Sequence, residues 1–205
     1  MKQKKASAPS STSAIRNGRI SLLSPRGALG MTHDDYSDAY IRDILLSQRV
    51  IAMVGASPNP SRPSYFAMKY LQAKGFKVIP INPGHAGNAI LGETVYASLR
   101  EVPEPIGIVD VFRNAAAALE ITKDAIGIGA KVVWMQLGVR NDEAARLAED
   151  AGLKVVMNRC PKIEYGRLSG EIGWAGVNSR VLSSKRPTLA RTGVQHRIIR
   201  KTDEI

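Results

Sequence analysis

The segment GASPNPSRPS, residues 55–64, has the composition of a loop that holds an anion. It follows the apolar run VIAMVG and precedes a segment whose apolar residues have helical spacing. The free amides and the positive dipole end of such a helix bind phosphate. Gly55 and Ala56 let the backbone approach a ligand, and Arg62 supplies a bidentate donor. Each part also has a structural explanation, with Gly55 forming a turn, Ser64 capping the helix and Arg62 in solvent.

The missing features of this loop restrict which phosphate it can hold. It is not G-x-G-x-x-G, and the chain has no G-x-x-x-x-G-K-S/T loop, which disfavours ATP or GTP hydrolases of that class. A NAD site places an acidic residue after the second strand, where it binds the ribose, but Asn82-Pro83 follows the second apolar run here. An uncharged residue tolerates a phosphorylated ribose, and Arg62 and Arg113 favour one.

The elements that position these residues alternate between strand and helix patterns. Continuous apolar runs, typical of strands buried on both faces, are VIAMVG, KVIPIN, IGIVDVF, KVVWMQ and KVVM. Predicted helices between them are SYFAMKYLQAKG, ETVYASLREV, AAAALEITKDAIGIG and NDEAARLAEDAG. This alternation predicts an α/β fold, a doubly wound, Rossmann-like parallel sheet. The segment after Cys160 has no clear pattern.

Ligands of such sheets lie outside the carboxyl ends of the strands, near the point where the strand order reverses. The residues that follow the predicted strands are therefore the candidate contacts. They are Gly55-Ala56-Ser57-Pro58-Asn59, Asn82-Pro83, Phe112-Arg113-Asn114, Gln136-Leu137-Gly138 and Asn158-Arg159-Cys160-Pro161.

Taken together, these strand ends resemble a small CoA-binding family related to the amino-terminal domain of the succinyl-CoA synthetase alpha subunit. The motifs are VGASPNPSRPSYFAMKYLQAKGFKVIPINP, DVFR, WMQLGVRN and NRCP, and the resemblance covers about residues 40–168. It implies that the first loop holds the CoA diphosphate, and that the turn after the second strand and the segment 111–113 flank the adenosine and its phosphates. The cofactor contacts expected from the resemblance and the strand ends are Gly55, Ala56, Ser57, Pro58, Asn59, Arg62, Pro63, Ser64, Asn82, Pro83, Val111, Phe112, Arg113, Gln136 and Gly138.

No complete catalytic apparatus is recognisable in the sequence. A ligase like succinyl-CoA synthetase would, by resemblance, need a second domain with a phosphorylated histidine and a nucleotide-binding partner subunit. The three histidines lie in the two extensions and, as His85, in the loop after Asn82-Pro83. Asp110, near a strand end, is interpreted as a carboxylate that caps a nearby loop. Cys160 is interpreted as a buried structural thiol, the alternative being a mixed disulfide with the CoA thiol.

The basic charge of the chain lies in its two ends. The net charge is +6 over residues 1–33, zero over 34–179 and +5 over 180–205, which disfavours nucleic-acid binding by the central part. The prediction is a flexible amino-terminal extension (1–33), one CoA-binding domain (34–179) and a flexible basic tail (180–205). The extension also resembles a transit peptide, with Met31 as an alternative start. A lone Cys and no apolar run of membrane-spanning length favour a cytoplasmic protein.

The sequence thus predicts a protein that binds CoA or an acyl-CoA as a non-catalytic sensor, carrier or accessory protein. Its macromolecular partner would be a second copy of the chain or a subunit of a CoA-dependent enzyme. Two other interpretations stay open at this point. One is a NAD(P)-binding redox sensor on the same fold, and the other is an interaction module that acts through the basic tails.

Overall fold

The computed structural model describes residues 32–171, which form seven strands and five α-helices. In chain order they are α1 Asp38–Ser47, β1 Val50–Val54, α2 Pro63–Ala73, β2 Lys77–Ile81, β3 Ala89–Ile90, β4 Glu93–Thr94, β5 Ile108–Val111, α3 Ala115–Gly127, β6 Val132–Met135, α4 Asp142–Asp150, β7 Lys154–Val156 and α5 Pro161–Leu168.

Five of the strands form one parallel sheet in the order β2-β1-β5-β6-β7. From β1 the chain runs outward to β2 and then crosses to the opposite side of β1 to enter β5. The strand order therefore reverses between β1 and β5, and the crevice outside their carboxyl ends is where this fold binds ligands. The predicted α/β, doubly wound, Rossmann-like sheet is confirmed.

The sheet is covered on both faces, which explains why its strands are almost continuously apolar. One core lies between the sheet and α1, α2 and α5, and includes Leu45, Leu71 and Tyr165. The other lies against α3 and α4, which contribute small residues such as Ala118 and Ala145. Alanines let these helices approach the sheet closely, so the strand ends are held by close packing on both sides.

The connection between β2 and β5 differs from the prediction. The segment ETVYASLREV was predicted as a short helix, and that prediction is wrong. Its first residues form β4, which pairs antiparallel with β3 across a turn at Leu91-Gly92, where both residues have positive φ. Two positive φ values suit a tight hairpin, and the β-branched Thr94 and Val95 favour extended structure. The only helical part of this segment is the short 3-10 helix Leu99–Glu101.

Two helices were not assigned from the sequence. Helix α1 begins after Ser37, whose side chain accepts a hydrogen bond from the Tyr40 N–H, and it buries Ile41, Ile44 and Leu45. Helix α5 fills the segment after Cys160 that had no clear pattern. Its short length and the Pro at its first position left too few apolar residues to show a helical period.

The predicted extension and basic tail lie largely outside residues 32–171 and stay predictions. Of the extension, Thr32 and His33 are described: His33 is buried, its Nδ1 lies 3.0 Å from the Tyr36 hydroxyl and its Nε2 lies 3.2 Å from a Glu149 carboxylate oxygen. Within the described range, none of the helices combines the length and apolar character that crossing a bilayer requires.

Candidate functional site

Gly55 brings the loop after β1 against the end of β5. Its φ is +91°, and its N–H donates to the Ile81 carbonyl oxygen at 2.9 Å. A Cβ on this residue would lie 2.5 Å from the Phe112 carbonyl oxygen and 2.9 Å from Arg113 Cδ. Only glycine meets both the backbone conformation and the close approach, so its role is more than that of a simple turn.

The loop leads into the amino end of α2, which has a basic residue where helices usually have acidic or capping side chains. Arg62 is the N-cap, its side chain makes no capping hydrogen bond, and the first turn has no acidic residue. Ser64 is not the cap, because its buried Oγ accepts a hydrogen bond from the Ser57 N–H at 3.2 Å. Since the amino end of a helix carries partial positive charge, an arginine here is stabilised when an anion binds nearby.

A cavity of about 410 Å³, called the loop cavity, lies at this point. Its lining consists of Gly55, Ser57, Arg62, Pro63, Ser64, Phe112 and Arg113. The Arg62 and Arg113 side chains are exposed, and neither forms a hydrogen bond or ion pair with another residue in the range 32–171. Two unpaired guanidinium groups beside a helix amino end make this cavity a candidate anion-binding site.

A second cavity of about 400 Å³, the β2 cavity, lies on one side of the loop cavity. It is lined by Val54, Gly55, Ile81, Asn82, Pro83, Ala97, Ser98, Leu99, Arg113, Ala117, Glu120, Ile121 and Asp124. The Asn82 side chain ties two loops together: Nδ2–H donates to the Ala56 carbonyl oxygen at 2.7 Å, and Oδ1 accepts from the Gly84 N–H at 2.9 Å. A carboxylate here could not donate to Ala56, which explains the absence of an acidic residue.

A third cavity of about 610 Å³, the α5 cavity, lies on the other side. It is lined by Ser61, Pro63, Phe66, Ala67, Phe112, Arg113, Gln136, Leu137, Val139, Cys160, Lys162 and Ile163. Phe66, Leu137 and Ile163 are exposed apolar side chains at its edge. Exposed apolar side chains gathered around one cavity indicate a site for an apolar part of a ligand.

The three cavities adjoin one another at the carboxyl edge of the sheet, and together they are called the groove. Arg113 lines all three of them. Gly55 is shared by the loop and β2 cavities, and Pro63 and Phe112 are shared by the loop and α5 cavities. A ligand with a charged centre and two dissimilar ends therefore fits this groove better than a compact one.

Most of the predicted contact residues line the groove, but five do not line any of these cavities. Ala56 and Val111 are buried beside it, and Pro58 and Asn59 are exposed on the first loop. Gly138 has a φ of +76°, and its N–H donates to Asn158 Oδ1 at 2.9 Å. These residues shape the loops rather than the cavity walls.

Asp110 lies under the α5 cavity and is fully buried. Its carboxylate is satisfied by a residue of a nearby loop, as interpreted, but through one side chain: its oxygens accept from Nε2–H of Gln136, which follows β6, at 2.9 and 3.2 Å. Burial raises the pKa of its carboxyl to about 8, while the Gln136 hydrogen bond acts in the opposite direction. The sequence did not predict this pair because it depends on the register between two strands.

The buried carboxyl makes stability depend on pH. The unfolded chain releases the Asp110 proton near pH 4, whereas the native protein holds it to about pH 8, so the native state binds more protons in between. We therefore expect the Asp110 contribution to the free energy of unfolding to fall as pH rises through this interval. Urea unfolding at pH 5 and pH 8.5 should show a smaller fall for Asp110→Asn than for the wild type. Asp150→Asn, at the exposed end of α4, is the control and should show the same fall as the wild type. The same fall in Asp110→Asn would contradict the assignment.

Cys160 is buried, as interpreted from the sequence, and also lines the α5 cavity. Burial raises the pKa of its thiol, and the neighbouring Asp110 raises it further. A thiol with a raised pKa is a poor nucleophile at neutral pH. His85 is partly buried in the 3-10 helix Pro83–His85. Among residues 32–171, no three side chains of His, Cys, Asp or Glu come together as a metal site.

A parallel sheet with a helix amino end and exposed arginines at its switch point is typical of nucleotide-binding domains. The family model described as a CoA binding domain matches residues 49–166, which is more than half of the chain. The chain belongs to this CoA-binding domain family, and the resemblance found in the strand ends is confirmed.

The chain is also similar to individual proteins and solved structures. The chain is 35% identical over 129 residues to the uncharacterised protein YneT of Bacillus subtilis, covering 63% of this chain and 94% of YneT. Among solved structures, a hypothetical protein from Pyrococcus horikoshii is 42% identical with a TM-score of 0.63, covering 66% of this chain and 94% of that one. A protein from Thermus thermophilus is 35% identical with a TM-score of 0.61, covering 63% and 96%.

Proposed function

We propose that this protein binds CoA or an acyl-CoA in the groove and acts as a non-catalytic sensor, carrier or accessory protein. The observation that carries the proposal is the convergence of three dissimilar cavities on Arg113 at the switch point of the sheet. CoA likewise has three dissimilar parts, a phosphorylated adenosine, a charged diphosphate and a pantetheine arm, so each cavity has a corresponding part of the ligand. Membership of the CoA-binding family supports the match.

Each cavity has the chemistry that one part of CoA needs. In the proposed arrangement the diphosphate is held in the loop cavity by the amides at the start of α2 and by Arg62 and Arg113. The adenosine and its 3′-phosphate occupy the β2 cavity beside Asn82, Pro83 and Arg113. The pantetheine arm occupies the largely apolar α5 cavity.

The 3′-phosphate gives a test of this arrangement. Equilibrium dialysis of the full chain is expected to show about tenfold or more weaker binding of dephospho-CoA than of CoA, because the 3′-phosphate gains a charged hydrogen bond to arginine. Equal affinities would contradict the proposal that the phosphorylated adenosine is recognised. Acetyl-CoA incubated with the protein should be recovered intact, whereas release of free thiol would contradict a non-catalytic role.

A further inference from the structure

The α5 cavity contains a buried amide whose orientation is fixed from behind. Gln136 follows β6 and has only 6% of its surface exposed, yet it contributes to the cavity wall. Its Nε2–H donates to both oxygens of Asp110, and this contact turns the amide nitrogen away from the cavity. The amide oxygen, on the other side of the same planar group, has no donor among the described residues and yet is not enclosed by protein, so it opens on the cavity that Gln136 lines. Within residues 32–171, no group donates a hydrogen bond to Gln136 Oε1.

The surroundings of Gln136 make this oxygen distinctive. The nearby walls of the cavity are formed by apolar side chains such as Phe112, Val139 and Ile163. A polar group that enters such a cavity loses its hydrogen bonds to water and is destabilised unless the wall supplies a partner. Gln136 Oε1 supplies an acceptor there, which selects for a ligand that carries an N–H donor at this depth.

The pantetheine arm of CoA has the matching chemistry, because it consists of two secondary amides joined by short alkyl segments. We propose that Gln136, oriented by Asp110, accepts a hydrogen bond from a pantetheine amide N–H and so selects ligands that carry this arm. The inference rests on the proposed function. Gln136 is a binding residue, whereas Asp110 acts through Gln136 and is a positioning residue.

The role of Asp110 gives this recognition a pH dependence. An ionised Asp110 accepts from Nε2–H and leaves Oε1 to the ligand, whereas a protonated Asp110 donates its O–H to Oε1 and turns the nitrogen to the cavity. Burial raises the pKa of Asp110 to about 8, so affinity for the pantetheine arm should rise as pH increases through this value. The other ionisable groups that line the cavity are Cys160, Lys162 and Arg113. Helix α2 contributes only the uncharged Pro63, Phe66 and Ala67 to the lining. Within the sheet, Asp110 is flanked by Met53 of β1 and Trp134 of β6, which carry no charge.

The test compares two ligands that differ in the arm alone. Acetyl-CoA has the pantetheine arm and no free thiol, and 3′-phosphoadenosine 5′-diphosphate has no arm. At pH 9, where Asp110 is ionised and leaves Oε1 to the ligand, we expect Gln136→Leu to lower the affinity for acetyl-CoA about tenfold, while that for 3′-phosphoadenosine 5′-diphosphate stays within about twofold. Gln72→Leu is the matched control, because Gln72 lies on α2 and donates to the Leu91 carbonyl oxygen outside the three cavities. Equal weakening of both ligands, or no weakening of either, would overturn the inference.

The near-isosteric variant Asp110→Asn tests the positioning role separately. Asn has no titrating proton and still offers Oδ1 to Gln136, so the affinity for acetyl-CoA should no longer change between pH 6.5 and pH 9. Retention of the wild-type pH profile in this variant would overturn the assignment of Asp110. If the wild-type protein binds neither ligand, the proposed function itself fails, and this outcome is distinct from a failure of the Gln136 inference.

Discussion

Replacement of Gly55 by alanine is expected to abolish CoA binding and to lower the free energy of unfolding by about 2–5 kcal/mol. The new Cβ would lie 2.5 Å from the Phe112 carbonyl oxygen, a backbone atom at the end of a buried strand. Either the loop or the strand end must move, and both line the loop cavity. The positive φ of Gly55 adds strain that any other residue would carry. Urea unfolding and calorimetric titration with CoA measure the two effects.

Gly75→Ala is the control that separates backbone strain from the clash. Gly75 follows α2 and has a φ of +83°, close to that of Gly55, but a Cβ added to it would meet no atom within 4 Å. We expect Gly75→Ala to cost about 1–2 kcal/mol through φ alone and to leave CoA binding unchanged. Similar losses of stability and binding in the two variants would show that the contact with Phe112 is unimportant.

The second large effect is expected at Arg113, which lines all three cavities. Arg113→Ala should reduce the affinity for CoA by about 10–100-fold, because a hydrogen bond to a charged phosphate contributes more than a neutral one. Stability should change little, because the side chain is exposed and has no ion-pair partner within residues 32–171. Calorimetric titration with CoA measures the affinity, and thermal unfolding checks the fold.

Two further variants define the result at Arg113. Arg113→Lys keeps the charge but loses the planar fork that binds phosphate through two hydrogen bonds, so its affinity should lie between those of the wild type and Arg113→Ala. Arg146→Ala removes an exposed arginine of α4 outside the groove and should bind CoA normally. If Arg113→Ala binds CoA with wild-type affinity, Arg113 does not contact the ligand, and the proposed site is contradicted.

Much of the fold was predictable because its signals are local. The continuous apolar runs of the five sheet strands and the helical spacing after residue 63 reflect burial on both faces of a sheet. The hairpin of β3 and β4 was missed because its turn, Leu91-Gly92, lacks the usual Asn-Gly or Asp-Gly signal. Helix α5 was missed because eight residues show too little periodicity.

The site was predictable only to the level of strand ends. The rule that parallel strands end at one edge of the sheet brought the residues near Gly55, Asn82 and Arg113 together. Their roles depend on contacts between distant parts of the chain. The close approach of Gly55 to Phe112 and the pairing of Asp110 with Gln136 are set by strand register, which a single sequence does not reveal.

Isothermal calorimetry of the full chain with CoA, acetyl-CoA, NAD, NADP and ATP at one ionic strength tests the central claim most directly. The groove joins an anion site at Arg62 and Arg113 to an apolar cavity of about 610 Å³, and no carboxylate follows β2 to bind a ribose. We predict saturable binding of CoA and acetyl-CoA that is tighter than that of NAD, NADP or ATP. Binding of NAD or NADP without binding of either CoA ligand would contradict the proposal and favour a NAD(P)-binding redox sensor on the same fold.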